Sequence, residues 1–152
     1  MSDKREIAAE VEDDFDLRGF LPYVLNLAAE ETSAAFQRYY KERYGMLRTE
    51  WRTLFHLGRY GDMTAKDICD RARIHKTKVS RAVAALAAKR FLVRTPREDD
   101  RRHERLSLTA AGRAAYADLN AEARRFDREL MSEFQPEEER VLRAALIRLA
   151  RL

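Results

Sequence analysis

Apolar residues recur at three- and four-residue spacing through most of the chain, and the interruptions of that rhythm mark where helices begin and end. From Phe20 to Tyr44 the repeat falls on Phe20, Val24, Leu27, Ala28, Ala35 and Tyr39, with Pro22 in the first turn and Gly45 placed to stop the helix. A second helix is predicted over Thr49–Tyr60, packing through Trp51, Leu54, Phe55 and Leu57 or Gly58, before Gly61-Asp62 breaks the chain. Thr64 and Asp67 have the spacing of a capping box, opening a short helix that turns Ala65, Ile68, Cys69 and Ala72 inward. Beyond Ile74, a further helix opens at His75 or Thr77 and runs to about Arg90. Its buried stripe is Val79, Val83, Leu86 and Ala87, and its other face carries Lys76, Thr77, Lys78, Ser80, Arg81 and Ala84.

The period then changes. FLVRTPR and RLSLT alternate apolar and polar residues, with Leu92, Leu106 and Leu108 as inward positions, and EDDRRH lies between them. No Asn-Gly or Asp-Gly pair fixes the register, and the loop length predicts a protruding wing instead of a tight hairpin. Helical spacing returns after Thr109, a natural cap, with Tyr116, Leu119, Ala123, Phe126, Leu130 and Phe134 on one face. A last helix follows Pro136, has Glu137, Glu138 and Glu139 in its first turn, and repeats Val141, Leu142, Ala145, Leu146, Leu149 and Leu152. The fold class is therefore mainly α with a small β-hairpin wing, a winged helix-turn-helix region flanked by N- and C-terminal helices. Too little domain remains in one chain to cover the apolar stripes of the first and last helices. A second subunit is expected to interlock with them, its two-fold axis setting the recognition helices ~34 Å apart.

Charge sharpens this picture. Between Arg71 and Arg113 there are thirteen Lys and Arg against four acids, whereas the whole chain carries only +4. The first sixteen residues, with seven acids and two basic side chains, offset the difference and are expected to form a flexible acidic segment. A positive surplus on a helix-hairpin pattern is what a phosphate backbone requires, so double-stranded DNA is the expected partner. No apolar run could cross a bilayer and the acidic N-terminus does not read as a signal peptide, so a cytoplasmic protein with no membrane partner is expected. One cysteine, Cys69, excludes an intrachain disulfide and a multi-cysteine zinc site, and its neighbours predict a small buried residue. No catalytic or phosphate-loop motif is present and His56, His75 and His103 are dispersed, so neither an enzyme nor a cofactor is expected.

The order TEWRTLFHLGRYG, MTAKDICDRARIHKTKVSRAVAALAAKRFLVR and DDRRHERLSLTAAG, residues Thr49 to Gly112, resembles the winged-helix region of the MarR family of bacterial regulators. Asp100-Arg101-Arg102 followed by Leu108-Thr109 and Gly112 matches that family's D-x-R wing and L-T-x-x-G junction in spacing and order. The resemblance implies a homodimer on a pseudo-palindromic operator, commonly a repressor, with many members releasing DNA on binding small anionic or phenolic compounds. It implies that Arg102 at the wing tip enters a minor groove, that Asp100 orients a wing arginine, and that Arg101 meets phosphate. On the recognition helix, Thr77, Lys78 and Arg81 are the candidates for base or backbone contact, and Lys76 and Ser80 for phosphate; Arg81 could instead pack against the wing.

An effector pocket would be lined by Tyr23, Leu27, Trp51, Phe55 and His56, although Trp51 and Phe55 at helical spacing equally describe a core. The expected organisation is an acidic segment over 1–16, a first dimerisation region over 17–45, the DNA-binding region over 46–109 and C-terminal dimerisation helices over 110–152. Two other readings are an architectural or effector-independent nucleic-acid-binding protein and a redox-responsive regulator using Cys69. Peroxide-sensing relatives carry their cysteine near the start of the first helix, where this chain has none.

Overall fold

The computed structural model describes residues 14–100 and 102–152, so the acidic stretch 1–13 and Arg101 lie outside the described residues. Packing divides the chain into two units, one ending at Ala35 and one running from Phe36 to Leu152. In the first unit a short turn over Leu17–Gly19 is capped by Asp16, whose carboxylate accepts the Arg18 N–H at 3.0 Å. It leads into α1 (Leu21–Tyr44). The apolar positions Phe20, Val24 and Leu27 are exposed there, because within the described residues of this unit no second element stands to bury them.

The second unit takes in the rest of α1, then α2 (Arg48–Tyr60), α3 (Ala65–Ala72), α4 (Lys76–Ala88), β1 (Leu92–Pro96), β2 (Glu104–Leu108), α5 (Ala110–Met131) and α6 (Pro136–Ala150). Its core is the meeting of the predicted stripes: Leu54 and Leu57 of α2, Ile68 of α3, Val79, Val83 and Leu86 of α4, and Leu92, Leu106 and Leu108 of the hairpin. The strands pair antiparallel with Leu92 opposite Leu108 and Arg94 opposite Leu106, which puts the leucines inward and the arginine outward. Met63 adds a short bridge to Leu106, closing the wing against the segment between α2 and α3.

Three boundaries differ from the apolar pattern, each for a visible reason. α2 starts at Arg48, not Thr49, because the Glu50 carboxylate accepts the Leu47 N–H at 2.8 Å while also meeting Lys89 Nζ at 2.6 Å. Its packed side thus includes the buried polar residues Glu50 and Thr53, while Trp51 and Phe55 are only half-buried. α4 ends at Ala88 because Arg90 takes a left-handed φ of 62°, which turns the chain into β1. α5 ends at Met131, leaving Phe134 in the connection and exposed instead of on the helix's packed face.

The joint between wing and α5 explains the Leu-Thr-x-x-Gly run in physical terms. Thr109 donates its N–H to the Phe91 carbonyl at 3.0 Å and its hydroxyl to the Arg90 carbonyl at 2.7 Å, while the same hydroxyl accepts the Gly112 N–H at 3.0 Å. That draws α5 so close to the end of α4 that a Cβ on Gly112 would lie 1.9 Å from the Phe91 oxygen. Arg113 completes the joint by donating to the Leu108 carbonyl at 2.9 Å. Gly112→Ala is expected to lower stability by about 1–3 kcal/mol through displacement of this joint, read as a reduced urea midpoint; an unchanged midpoint would show that α5 is not held this tightly.

Candidate nucleic-acid interface

The first turn of α4 is built to be polar. His75 is its N-cap, with ring Nδ1 accepting the Thr77 N–H at 3.2 Å, and Val79, Ala82, Val83 and Leu86 fix the helix by burying the opposite side. Lys76, Thr77, Lys78, Ser80 and Arg81 are left exposed. The preceding α3 carries the predicted box, with Thr64 N–H donating to Asp67 at 2.9 Å and Asp67 N–H donating to the Thr64 hydroxyl at 3.2 Å. The Asp67 carboxyl is held below the usual carboxylate range, first by the Thr64 backbone N–H. The turn between α3 and α4 is anchored from the far end of the unit: Arg73 donates to the carbonyls of Ala150 at 2.6 Å and Arg151 at 3.2 Å, where the α6 dipole ends.

In the wing loop, Asp100 works through the backbone. One of its carboxylate oxygens accepts the Arg102 N–H at 2.9 Å and the other meets His103 Nδ1 at 2.8 Å, so it shapes the turn and leaves the Arg102 guanidinium free. No contact from Asp100 to a guanidinium is seen among the described residues, and Arg101, the neighbouring wing arginine, lies outside them. The acid that does grip a guanidinium here is Asp99, at 3.0 and 2.6 Å from Arg97. Arg94 faces Glu104 across the hairpin at 3.4 Å, and Arg105 pairs with Asp62.

These pairs divide the basic residues into two groups. Arg94, Arg97, Arg105 and Lys89 have carboxylate partners, whereas Lys76, Lys78, Arg81 and Arg102, like Arg71, Arg73, Arg90 and Arg113, make no ion pair among the described residues. A cleft of about 580 Å³ runs between α3, α4 and the hairpin, and it brings together Lys76, Ser80 and Arg102. Thr77, Lys78 and Arg81 are exposed on α4 outside that lining, and Arg101 lies outside the described residues. Cys69 is half-buried on the cleft wall instead of fully inside, because the outer edge of α3 faces the hairpin across the gap.

The five candidate effector residues fall in two settings. Tyr23 and Leu27 are exposed on α1 in the first unit. In the second, Trp51 stacks on Tyr40 with ring centroids 5.5 Å apart and also meets Phe36 and Phe55, an aromatic packing arrangement whose indole N–H has no acceptor. His56 turns away from Trp51, with Nδ1 2.7 Å from the Arg52 carbonyl and its ring against Tyr60. Hydropathy spacing had no means of finding Met63, Arg73, Arg97 or Asp99, whose roles depend on partners distant in sequence or on loop geometry.

The Arg102 N–H, and then His103, hold the Asp100 carboxyl below the ordinary carboxylate range. An acid depressed in this way contributes order that is present above about pH 4 and lost as pH falls through its lowered value. Amide exchange at Arg102, corrected for the intrinsic pH dependence of exchange, is therefore expected to stay slow at pH 5 and accelerate on further acidification. Asp100→Ala should accelerate it already at pH 7 while leaving the global urea midpoint where it is; unchanged exchange would contradict this role.

The comparisons with known proteins converge on one architecture. Residues 44–103 match the MarR family. A Bacillus subtilis (strain 168) protein described as the uncharacterized HTH-type transcriptional regulator YwoH is 27% identical over 97 residues, covering 64% of this chain and 70% of that protein. Among solved structures, Bordetella bronchiseptica BpsR, described in terms of regulation of its DNA binding by 6-hydroxynicotinic acid, superposes with a TM-score of 0.80 at 19% identity over 90% of this chain and 96% of that one. MepR of S. aureus, solved in complex with DNA, superposes with a TM-score of 0.77 at 19% identity over 86% of this chain and 95% of that one.

Proposed function

We propose that the chain is a MarR-family winged-helix transcriptional regulator that acts without catalysis as a homodimeric repressor on a pseudo-palindromic operator, released by a small aromatic or anionic effector; the family match over residues 44–103 and the winged-helix fold support this reading. The observation that carries this reading is where cations gather: Lys76, Lys78, Arg81 and Arg102 have no carboxylate partner among the described residues, and Lys76, Ser80 and Arg102 line the same cleft. In the proposed complex the first turns of α4 enter a major groove, with Thr77, Lys78 and Arg81 at base edges or backbone and Lys76 and Ser80 at phosphates. Arg102 enters the adjoining minor groove, Arg101 meets phosphate, and Asp100 holds the loop in shape.

The dimer reading assigns residues 17–45 and 110–152 to subunit contacts and 46–109 to DNA. Its support is apolar surface: Phe20, Leu21 and Leu27 are exposed in the first unit, and Val141, Leu146, Ile147 and Leu149 on α6 in the second, too much to leave in water on a monomer. The release reading draws on BpsR, whose DNA binding is regulated by an aromatic acid. Tyr23 and Leu27 of the first unit and Trp51, Phe55 and His56 of the second are the proposed effector residues. No described helix is long and apolar enough to cross a membrane, and the reading places the protein in the cytoplasm with its DNA.

Selection of bound sequences from a random duplex pool is expected to yield an inverted repeat, preferred over bulk sequence by roughly 10³-fold or more at fixed salt. An architectural protein would show no such preference. On the selected duplex, Arg102→Ala should weaken binding by about 1–3 kcal/mol without dissociating the dimer; affinity unchanged across a salt series would count against the wing contact. Sedimentation at micromolar concentration should give a dimer, and a stable folded monomer would overturn that part of the reading.

A further inference from the structure

On the reading of α4 as the recognition helix and α6 as a subunit contact, on which this rests, we infer that Arg73 sets which operator spacing the protein accepts. It is a positioning residue that ties the end of α6 to the turn ahead of α4 and does not touch DNA itself. Arg73 closes α3 in the left-handed region, with φ 53° and ψ 45°, where glycine fits without strain and an L side chain does not. The Ile74 N–H returns to the Cys69 carbonyl at 3.3 Å to complete the turn, and His75 caps α4 directly after it. What the arginine adds is reach. Its Nη1 donates to the Ala150 carbonyl at 2.6 Å and its Nη2 to the Arg151 carbonyl at 3.2 Å. Carbonyls at the end of a helix lack intrahelical donors, and a planar guanidinium spans two of them where an ammonium is a single point charge.

Among the described residues, α6 buries none of its own and gives none to the core of the second unit, so side-chain links decide how it is held. Near its middle Arg143 reaches Asp127 of α5 at 2.6 Å, and at its end Arg73 holds it to the turn. The far end of α4 is fixed separately, where Thr109 bonds to the Arg90 and Phe91 carbonyls. One tie lets a helix pivot about it, and a second at the opposite end stops the pivot. In a two-fold dimer built on α6, the separation of the two recognition helices follows the tilt of α4 within each subunit. The Arg73 link therefore narrows the range of half-site separations that both helices can meet together. A half-site bound alone makes no such demand.

The test uses the inverted repeat that the full chain selects from a random duplex pool, the same repeat with a base pair added to or removed from its centre, and a duplex carrying a single half-site. Affinities of the wild type, Arg73→Gly and Arg73→Lys are measured at fixed salt. Arg73→Gly relieves the left-handed backbone while removing the link, and should melt within about 2 °C of the wild type. It should bind the half-site within about twofold of the wild type, while its preference for the selected spacing over the altered ones falls roughly fivefold. That is the low end for coupling between sites, because the link is exposed. Arg73→Lys keeps the charge, and should keep half-site affinity while losing part of the preference. An unchanged spacing preference in Arg73→Gly overturns the proposal, and so does a half-site affinity that falls in parallel, which would make Arg73 a phosphate contact. Selection of no inverted repeat, or a folded monomer in sedimentation, would instead defeat the reading of α4 and α6, and the proposal with it.

Discussion

The carbonyl oxygens of Arg90 and Phe91 hold the second unit together. They stand at the point where α4 ends, and Thr109 bonds to both, which fixes the end of β2 and the start of α5 against the end of α4. The absent side chain of Gly112 permits that approach, and the left-handed turn at Arg90 aims the two carbonyls toward Thr109. Without this joint the hairpin would be tied to α4 only through its buried leucines, which restrain its depth but poorly restrain its direction. With it, the distance from the exposed face of α4 to the wing is set by hydrogen bonds between main chain and one threonine.

Electrostatics is arranged around that frame by subtraction. The segment from Arg71 to Arg113 is strongly basic, but much of its charge is used internally: Lys89 on Glu50, Arg97 on Asp99, Arg105 on Asp62, Arg94 facing Glu104. The exposed pairs, Arg97–Asp99, Arg105–Asp62 and Arg94–Glu104, contribute little stability, while Lys89 compensates the buried Glu50. Their consequence is spatial, since among the described residues they leave Lys76, Lys78 and Arg81 on the first turns of α4 and Arg102 in the wing uncompensated, as are Arg71, Arg73, Arg90 and Arg113. A second network, in which Arg43 reaches Asp118 and Glu122 while Tyr44 donates to Asp118, ties the end of α1 to α5. Burial and then the hydrogen bond to Asp118 push the Tyr44 hydroxyl up to about 12, so it remains a donor at any physiological pH.

Most of this frame could be read along the chain because apolar spacing is a local signal. The stripes Ile68 in α3, Val79, Val83 and Leu86 in α4, Leu106 and Leu108 in the hairpin, and the Thr64 and Thr109 caps are where spacing and capping chemistry put them. Less legible was everything set by a partner far away in sequence. Glu50 is a charged residue at a helix start, which reads as solvent-facing, and only the fold brings Lys89 to it and buries it. The resemblance has Asp100 orienting a wing arginine, and the spacing carried no sign that the loop would also turn the Arg102 main-chain N–H toward it. Among the candidate site residues, exposure on α4 was legible from the helix period, while the convergence of Lys76, Ser80 and Arg102 on one cleft required the hairpin register.

The central claim is that one surface, the first turns of α4 together with the wing loop, meets the duplex. Backbone amide chemical shifts recorded while a duplex is added test it most directly. The account predicts that the largest changes fall on His75 to Arg81 and around Arg102, with little change at Asp67 and Asp70 of α3 or along α6. Changes concentrated on α3 or α6, with those of α4 and the wing unmoved, would contradict it.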